Sequence, residues 1–227
     1  MDKTYFISGI DTDCGKTIIT GLIAKYLLNT NKNVITQKLV QTGTSGIADD
    51  IIAHRKIMNT KLYQEDKNGV TCAYVFKLPA SPHLSAKLEN TNIDCSLIDK
   101  NTKILNNKYE TVLLEGAGGL HVPLNKTENI IDFIEKRNYP LILVTSPKLG
   151  SINHTLMSLE LCYNRKIKLA GLIYNNYPAN NQFIKEDTLE VLRKFLNKYY
   201  PKAPIIEVPI FENNNYPAID FSKLLKV

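Results

Sequence analysis

The sequence predicts an α/β fold, a three-layer sandwich with a mainly parallel sheet. Short apolar, β-branched runs alternate with segments of helical spacing along most of the 227 residues. The first forty residues show the repeating unit: an apolar run over residues 4–8, a helical segment from residue 16, and a second run at Val34–Lys38. Neither an internal repeat nor a low-complexity linker divides the sequence, so we expect one domain over residues 1–227.

Composition and charge exclude several classes of protein. Apolar residues make up 44% of the chain and charged residues 22%, as in globular proteins, and no apolar run approaches the ~20 residues that span a bilayer. The net charge of +6 is spread without a dense basic run, so we expect neither a nucleic acid nor a membrane as partner. Four scattered cysteines and an N-terminus that passes directly into a strand predict reduced thiols, no signal peptide and a cytoplasmic location.

The segment from Gly9 to Thr17, with the sequence GIDTDCGKT, is the strongest motif. A glycine-rich loop between a strand and a helix directs backbone N–H groups and the helix dipole at phosphate. In such a loop Lys16 reaches the outer phosphates, and the Thr17 hydroxyl ligates magnesium. Five residues, rather than the usual four, separate the first glycine from the Gly-Lys pair. We interpret Cys14 as a small loop residue whose side chain stays out of the chemistry.

Polar residues also follow other predicted strands. Lys38 and Thr42 come at and just after the end of the second strand, and ligands bind beyond the carboxyl ends of parallel strands. We therefore expect both to face the same crevice as Lys16. A buried-type strand from residue 111 ends in Glu115 and is followed by glycines, which predicts a carboxylate that holds magnesium directly or through water.

Two pairs of residues have two interpretations each. Asp49 and Asp50 begin a helical segment, where they either stabilise the helix N-terminus or bring one carboxylate to the metal. Asn175 and Asn176 end the strand from residue 169, where amide side chains either contact a base edge or form a turn. Spacing alone does not separate these alternatives.

The other predicted elements complete the alternation. We expect a strand at residues 70–76, a proline turn at 79–83 and a helix at 96–105. A strand follows at 141–145, then a helix after residues 148–153, a helix at about 185–199, a strand at 205–209 that closes the sheet, and a polar tail.

A series of segments in this order resembles dethiobiotin synthetases over nearly the whole length. The segments are Gly9–Thr17 with its extra residue, Lys38–Gly43, Asp50, Glu115–Gly119, Lys148–His154 and Asn175. Leu39 stands where the family usually has proline, Thr42 where many members have serine, and Cys14 where a small apolar residue is usual.

The resemblance implies a P-loop NTPase-like fold and an ATP-dependent ligase of biotin biosynthesis that works as a homodimer. Its substrates would be 7,8-diaminopelargonic acid, CO2 and ATP, with Mg2+ as cofactor. Lys16 and Lys38 would be the catalytic cations, and Thr17, Asp50 and Glu115 the metal ligands, where Asp50 rather than Asp49 follows from the alignment of segments. The implied ATP-binding residues are Asp13, Cys14, Gly15, Lys16, Thr17, Ile18, Asp50, Glu115, Gly116, Ala117, Gly118, Asn175 and Asn176. The implied substrate-binding residues are Thr12, Lys38, Thr42 and Asn153.

Two other activities compete with this one. A synthetase of the same group that acts on cobyrinic acid usually carries a glutaminase domain, for which 227 residues leave no room. A nucleotide switch of the partitioning kind normally has an extra early lysine in its loop, where Ile10 and Asp11 stand here, and a GTPase has an Asn-Lys-x-Asp motif that this sequence lacks.

Overall fold

A six-stranded parallel sheet forms the centre of the molecule in the computed structural model, which describes residues 4–179, 181–212 and 215–225. Its strand order is β2-β5-β1-β6-β7-β8. The strands of this sheet are β1 (Thr4–Gly9), β2 (Val34–Lys38), β5 (Thr111–Gly119), β6 (Leu141–Thr145), β7 (Leu169–Asn175) and β8 (Ile205–Val208). A separate parallel pair joins β3 (Gln41–Thr42) to β4 (Val75–Phe76).

Helices cover both faces of the sheet. They are α1 (Lys16–Asn29), α2 (Asp49–Met58), α3 (Gln64–Lys67), α4 (Pro82–Leu88), α5 (Cys95–Asn106), α6 (Ile130–Arg137), α7 (Ser151–Asn164) and α8 (Gln182–Tyr199). None of the helices in the described ranges is long and apolar enough to cross a membrane.

Alternate side chains of each central strand enter opposite cores, because successive residues of a strand point to opposite faces. In β1, Phe6 packs in a core with helices α5 to α8, whereas Ile7 packs in a second core with α1. In β6, Leu143 and Val144 divide between the same two cores. This arrangement confirms the predicted three-layer α/β sandwich.

Some local predictions were wrong. The strand expected at residues 70–76 covers only Val75–Phe76. The residues before it lie next to the end of β2, where Lys38 N donates to Thr71 O. Pro82 begins α4 rather than belonging to a turn. The N–H of the first helical residue has no partner within the helix, so proline, which has no N–H, is tolerated at this position. The tail is not simply polar: Phe221 and Leu224 are buried in the second core.

The predicted end of a strand at Glu115 was also too early. Strand β5 continues to Gly119, and its pairing with β1 shifts from Ile7 opposite Glu115 to Gly9 opposite Gly119. Four residues of β5 therefore span two of β1. This irregularity brings the glycine-rich backbone beside the loop that follows β1.

Candidate active site

A cleft of about 1270 Å³ opens at the carboxyl ends of the strands, where the sequence predicted a ligand site. Both predicted catalytic lysines, Lys16 and Lys38, line it. The predicted site residues in its lining are Thr12, Asp13, Gly15, Lys16, Thr17, Ile18, Lys38, Thr42, Asp50, Glu115, Ala117, Gly118 and Asn175. The two lysines thus face one cavity rather than separate ones.

The loop before α1 has the geometry of a phosphate cradle. Gly15 caps α1 with a φ of 99° and has no side chain to occupy the first-turn N–H groups. A Cβ on Gly15 would lie 2.3 Å from Nδ2 of Asn175, so glycine alone fits there. Nζ of Lys16 turns back to the loop and donates to Asp11 O at 2.7 Å.

Three oxygens converge beside this loop. Oγ1 of Thr17 lies 3.0 Å from Oδ1 of Asp50 and 3.0 Å from Oε1 of Glu115. A hydroxyl has one proton, so it satisfies only one of these acceptors at a time. Two carboxylates and a hydroxyl are the hard oxygen donors that Mg2+ prefers, and this set of donors fits that ion. Within the described ranges, no group of three or more His, Cys, Asp or Glu side chains is arranged to hold a metal.

Lys38 lies directly between the two carboxylates. It pairs with Glu115 in the register of β2 and β5, and its Nζ lies 2.8 Å from Oε1 of Glu115 and 2.5 Å from Oδ2 of Asp50. The same ammonium donates to Gly116 O at 2.9 Å. The strands therefore fix the lysine and the glutamate opposite each other.

Charge attraction keeps this buried pair ionised. Burial works against the charge on Lys38, but Glu115 and Asp50 outweigh it and hold the pKa of the ammonium above its ordinary value. Burial likewise favours the neutral form of Glu115, but Lys38 and His54 outweigh it and hold the pKa of the carboxyl well below its usual range. The cleft thus contains a charged cation and a charged acid at neutral pH.

The two aspartates at the start of α2 differ in position. Asp50 faces Thr17 and Lys38, whereas Asp49 is exposed to solvent. Of the two alternatives that the sequence left open, the structure thus brings Asp50 to the oxygen cluster.

Two residues of the site were not predicted. His54 is fully buried, and its Nε2 lies 2.8 Å from Oε2 of Glu115. Arg55 is 2% exposed and makes two hydrogen bonds of 2.8 Å to Asp66. A sequence signal existed for His54, because it follows Asp50 by four residues and therefore lies on the same face of the helix.

Asn175, the last residue of β7, and Asn176, the residue after it, make different contacts. Nδ2 of Asn175 donates to Cys14 O at 3.1 Å, which braces the phosphate loop. Nδ2 of Asn176 instead donates to Val208 O at 2.8 Å, and this residue does not line the cleft. Asn176 is 8% exposed, and its predicted contact with ATP stays a prediction.

Three other predicted residues also stay outside the lining of the cleft. Cys14 is 1% exposed, and its Sγ donates to Asp11 O at 3.3 Å beneath the loop. Gly116 contributes its carbonyl to Lys38. Asn153 is exposed on α7.

Comparisons with known proteins identify the family. The AAA domain family matches residues 3–208. The ATP-dependent dethiobiotin synthetase BioD 2 of Pasteurella multocida is 52% identical over 203 residues, which cover 89% of this chain and 95% of that protein. The chain belongs to the ATP-dependent dethiobiotin synthetase family. A second synthetase of this name, from Haemophilus influenzae, is 56% identical over 178 residues, 78% of this chain and 93% of its own.

This membership confirms the resemblance predicted from the segments, and with it an ATP-dependent ligase of biotin biosynthesis. Solved structures agree on the fold alone. A ParA family ATPase from Chlorobium tepidum has a TM-score of 0.54 at 14% identity, over 93% of this chain and 86% of its own. A dethiobiotin synthetase chain thus has the parallel α/β architecture of P-loop ATPases.

Proposed function

We propose that this dethiobiotin synthetase closes the ureido ring on 7,8-diaminopelargonic acid, with CO2 as the carbon source and ATP as the activating co-substrate. The products are dethiobiotin, ADP and phosphate. The observation that carries the proposal is the convergence of Lys16, Lys38, Asp50 and Glu115 in one cleft beside the phosphate loop.

The reaction has three bond-forming steps. One amine of the substrate attacks CO2 and loses a proton, which gives a carbamate. A carbamate oxygen attacks the γ-phosphorus of ATP and displaces ADP, which gives a carbamic–phosphoric anhydride. The second amine then attacks the carbonyl carbon, loses its proton and expels phosphate, so that the ring closes as a cyclic urea.

The second step brings two anions together, and the lysines offset their repulsion. Lys38 and Thr42 both line the cleft, where the ammonium can reach a carbamate. Lys16 lies at the start of α1, where it can turn from Asp11 O to the outer phosphates. Positive charge fixed in this way stabilises the charge that develops on the transferred phosphoryl group. Thr12 and Thr42 supply hydroxyls for the carbamate, and the amides of residues 13–17 hold the phosphates.

The oxygen cluster is the proposed magnesium site. Thr17, Asp50 and Glu115 would hold the ion, and when bound it neutralises charge on the phosphates of ATP. The close approach of the Thr17 hydroxyl to both carboxylates supports this assignment.

A homodimer with the diamine near the interface is a further part of the proposal. Leu149, just before α7, is fully exposed and Met157 on that helix is 61% exposed, so this face presents apolar surface beside Asn153. Four free cysteines support a reducing compartment such as the cytoplasm. The cores on both faces of one sheet support a single domain.

Phosphate release from ATP, measured with and without the diamine and bicarbonate, tests the proposed reaction. Release should require both compounds and should match dethiobiotin formation one to one. Turnover that proceeds without the diamine would contradict the proposal and favour a nucleotide switch. Lys16→Ala removes the cation of the phosphate loop, so phosphate release by this variant gives the background rate for the assay.

A further inference from the structure

A buried chain of polar side chains runs behind the cleft, from Glu115 to Asp66. His54 bonds Glu115, and its Nδ1 lies 3.0 Å from Oγ1 of Thr36. Arg55 Nη1 donates to the same hydroxyl at 2.8 Å and pairs with Asp66 through Nε and Nη2. All five residues are at most 3% exposed. Such a network persists only when its members are satisfied together.

The two oxygens of Glu115 have separate tasks in this arrangement. Oε1 faces the cleft, where it meets Lys38 at 2.8 Å and Thr17 at 3.0 Å. Oε2 faces away from it and meets His54 at 2.8 Å. A carboxylate that is bonded at both oxygens cannot rotate about its terminal torsion without breaking one set of contacts. His54 therefore determines the angle at which Oε1 is presented.

The Glu115 carboxylate can only accept, so Nε2 of His54 carries a proton and donates it to Oε2. The Thr36 hydroxyl accepts from Arg55 and contacts Nδ1 on the other side of the ring, so it holds the imidazole in this orientation. The Arg55–Asp66 pair holds Thr36 in place, because the two hydrogen bonds to the Asp66 carboxylate fix the plane of the guanidinium.

Helix α2 also joins the two carboxylates mechanically. Asp50 and His54 are four residues apart on one face of this helix, and they contact the two sides of the Lys38–Glu115 pair. One docking position of α2 thus sets Asp50 directly and Glu115 through His54.

We propose that His54 is a positioning residue that aims Oε1 of Glu115 at the oxygen cluster and thereby tunes the affinity of that cluster for the metal. This inference rests on the proposed magnesium role of Thr17, Asp50 and Glu115. Groups that orient a metal ligand from behind typically change metal affinity or activity by about 10- to 100-fold when they are removed.

The test compares His54→Leu with His54→Gln. Leucine has similar bulk and no donor, whereas glutamine keeps an N–H donor that can reach Oε2. The readout is the ratio of the Kd for ATP without Mg2+ to the Kd with saturating Mg2+, called here the Mg2+ factor. Isothermal titration calorimetry measures both constants without the diamine, so that no turnover takes place. His54→Leu should reduce this factor by about 10-fold or more, and His54→Gln should keep it within about threefold of wild type.

A purely structural role for His54 predicts a different pattern. The thermal midpoint would fall in His54→Leu, but Mg2+ would strengthen ATP binding as much as in wild type, and this result would overturn the inference. Equal losses in the Leu and Gln variants would also overturn it. If His54→Leu does not fold, Thr36→Val keeps the imidazole and removes the hydroxyl that contacts both Nδ1 and Arg55. An unchanged Mg2+ factor there would count against the inference in the same way.

The same titration separates the two levels of the proposal. If Mg2+ fails to strengthen ATP binding in the wild-type chain, the proposed metal site itself is wrong and the role of His54 fails with it. If wild type responds to Mg2+ and His54→Leu responds equally, only the positioning role is wrong.

Discussion

The ammonium nitrogen of Lys38 lies 2.8 Å from Oε1 of Glu115, its direct neighbour in the register of β2 and β5. Because the two residues are paired across adjacent parallel strands, the sheet itself fixes their separation. The pair remains charged even though Glu115 is fully buried, since each ion holds the other in its charged form. A cation is thus held ready in the cleft, a few ångströms from the phosphate loop.

Lys38→Ala should damage turnover more than nucleotide binding. If Lys38 acts on the carbamate and the transferred phosphoryl group, its loss should lower kcat roughly 100-fold and change ATP affinity less than about threefold. Steady-state kinetics and equilibrium ATP binding measure the two effects. Lys32→Ala, a change at an exposed lysine, is the control and should leave both values unaltered. Unchanged turnover in Lys38→Ala would remove this residue from the mechanism.

The neighbouring aspartates of α2 provide a matched pair. Asp50→Asn should raise the Mg2+ concentration for half-maximal activity about 10-fold, because Asp50 contributes a carboxylate oxygen beside Thr17. Asp49→Asn should behave as wild type, since its side chain is exposed. A Mg2+ titration of both variants checks this, and equal shifts in the two would refute the ligand assignment.

Asn175, which ends β7, and Asn176, which follows it, should differ in their effect on ATP binding. Asn175→Ala removes the hydrogen bond to Cys14 O and should weaken ATP binding roughly tenfold. Asn176→Ala removes a hydrogen bond to Val208 O, so it should lower the thermal midpoint and leave ATP affinity close to wild type. Equilibrium binding of ATP to both variants measures the two changes in affinity. A larger loss of affinity in Asn176→Ala would contradict this prediction and would show that the nucleotide contacts Asn176 instead.

The buried Arg55–Asp66 pair should matter for stability. Asp66→Ala leaves a buried guanidinium without its partner and should lower the free energy of unfolding by about 3 to 5 kcal/mol. Asp99→Ala breaks an ion pair with Arg137 in which the aspartate side chain is 41% exposed, and should cost less than about 1 kcal/mol. Urea unfolding of the two variants measures both changes. Similar losses would mean that burial does not set the cost.

The residues that sequence alone could place share one physical property: they stand at strand ends. Lys38, Glu115 and the phosphate loop all follow predicted parallel strands, whose carboxyl ends lie along one edge of the sheet. The different contacts of Asn175 and Asn176 agree with the alternation of successive side chains along an extended chain.

The contacts that sequence could not place depend on docking between distant elements. His54 meets Glu115 across 61 positions of sequence, through the packing of α2 against β2 and β5, and no local pattern encodes that packing. The continuation of β5 past Glu115 was hidden for a related reason. The glycine-rich residues 116–119 signal a turn locally, but pairing with β1 extends the strand through them.

A crystal structure with Mg2+, a non-hydrolysable ATP analogue and the diamine tests the central claim most directly. It should show Nζ of both Lys16 and Lys38 within hydrogen-bond distance of the γ-phosphate or of the substrate amine that takes up CO2, with Thr17, Asp50 and Glu115 around the metal. A structure in which Lys38 stays bonded only to Asp50 and Glu115, with the diamine bound elsewhere, would contradict it.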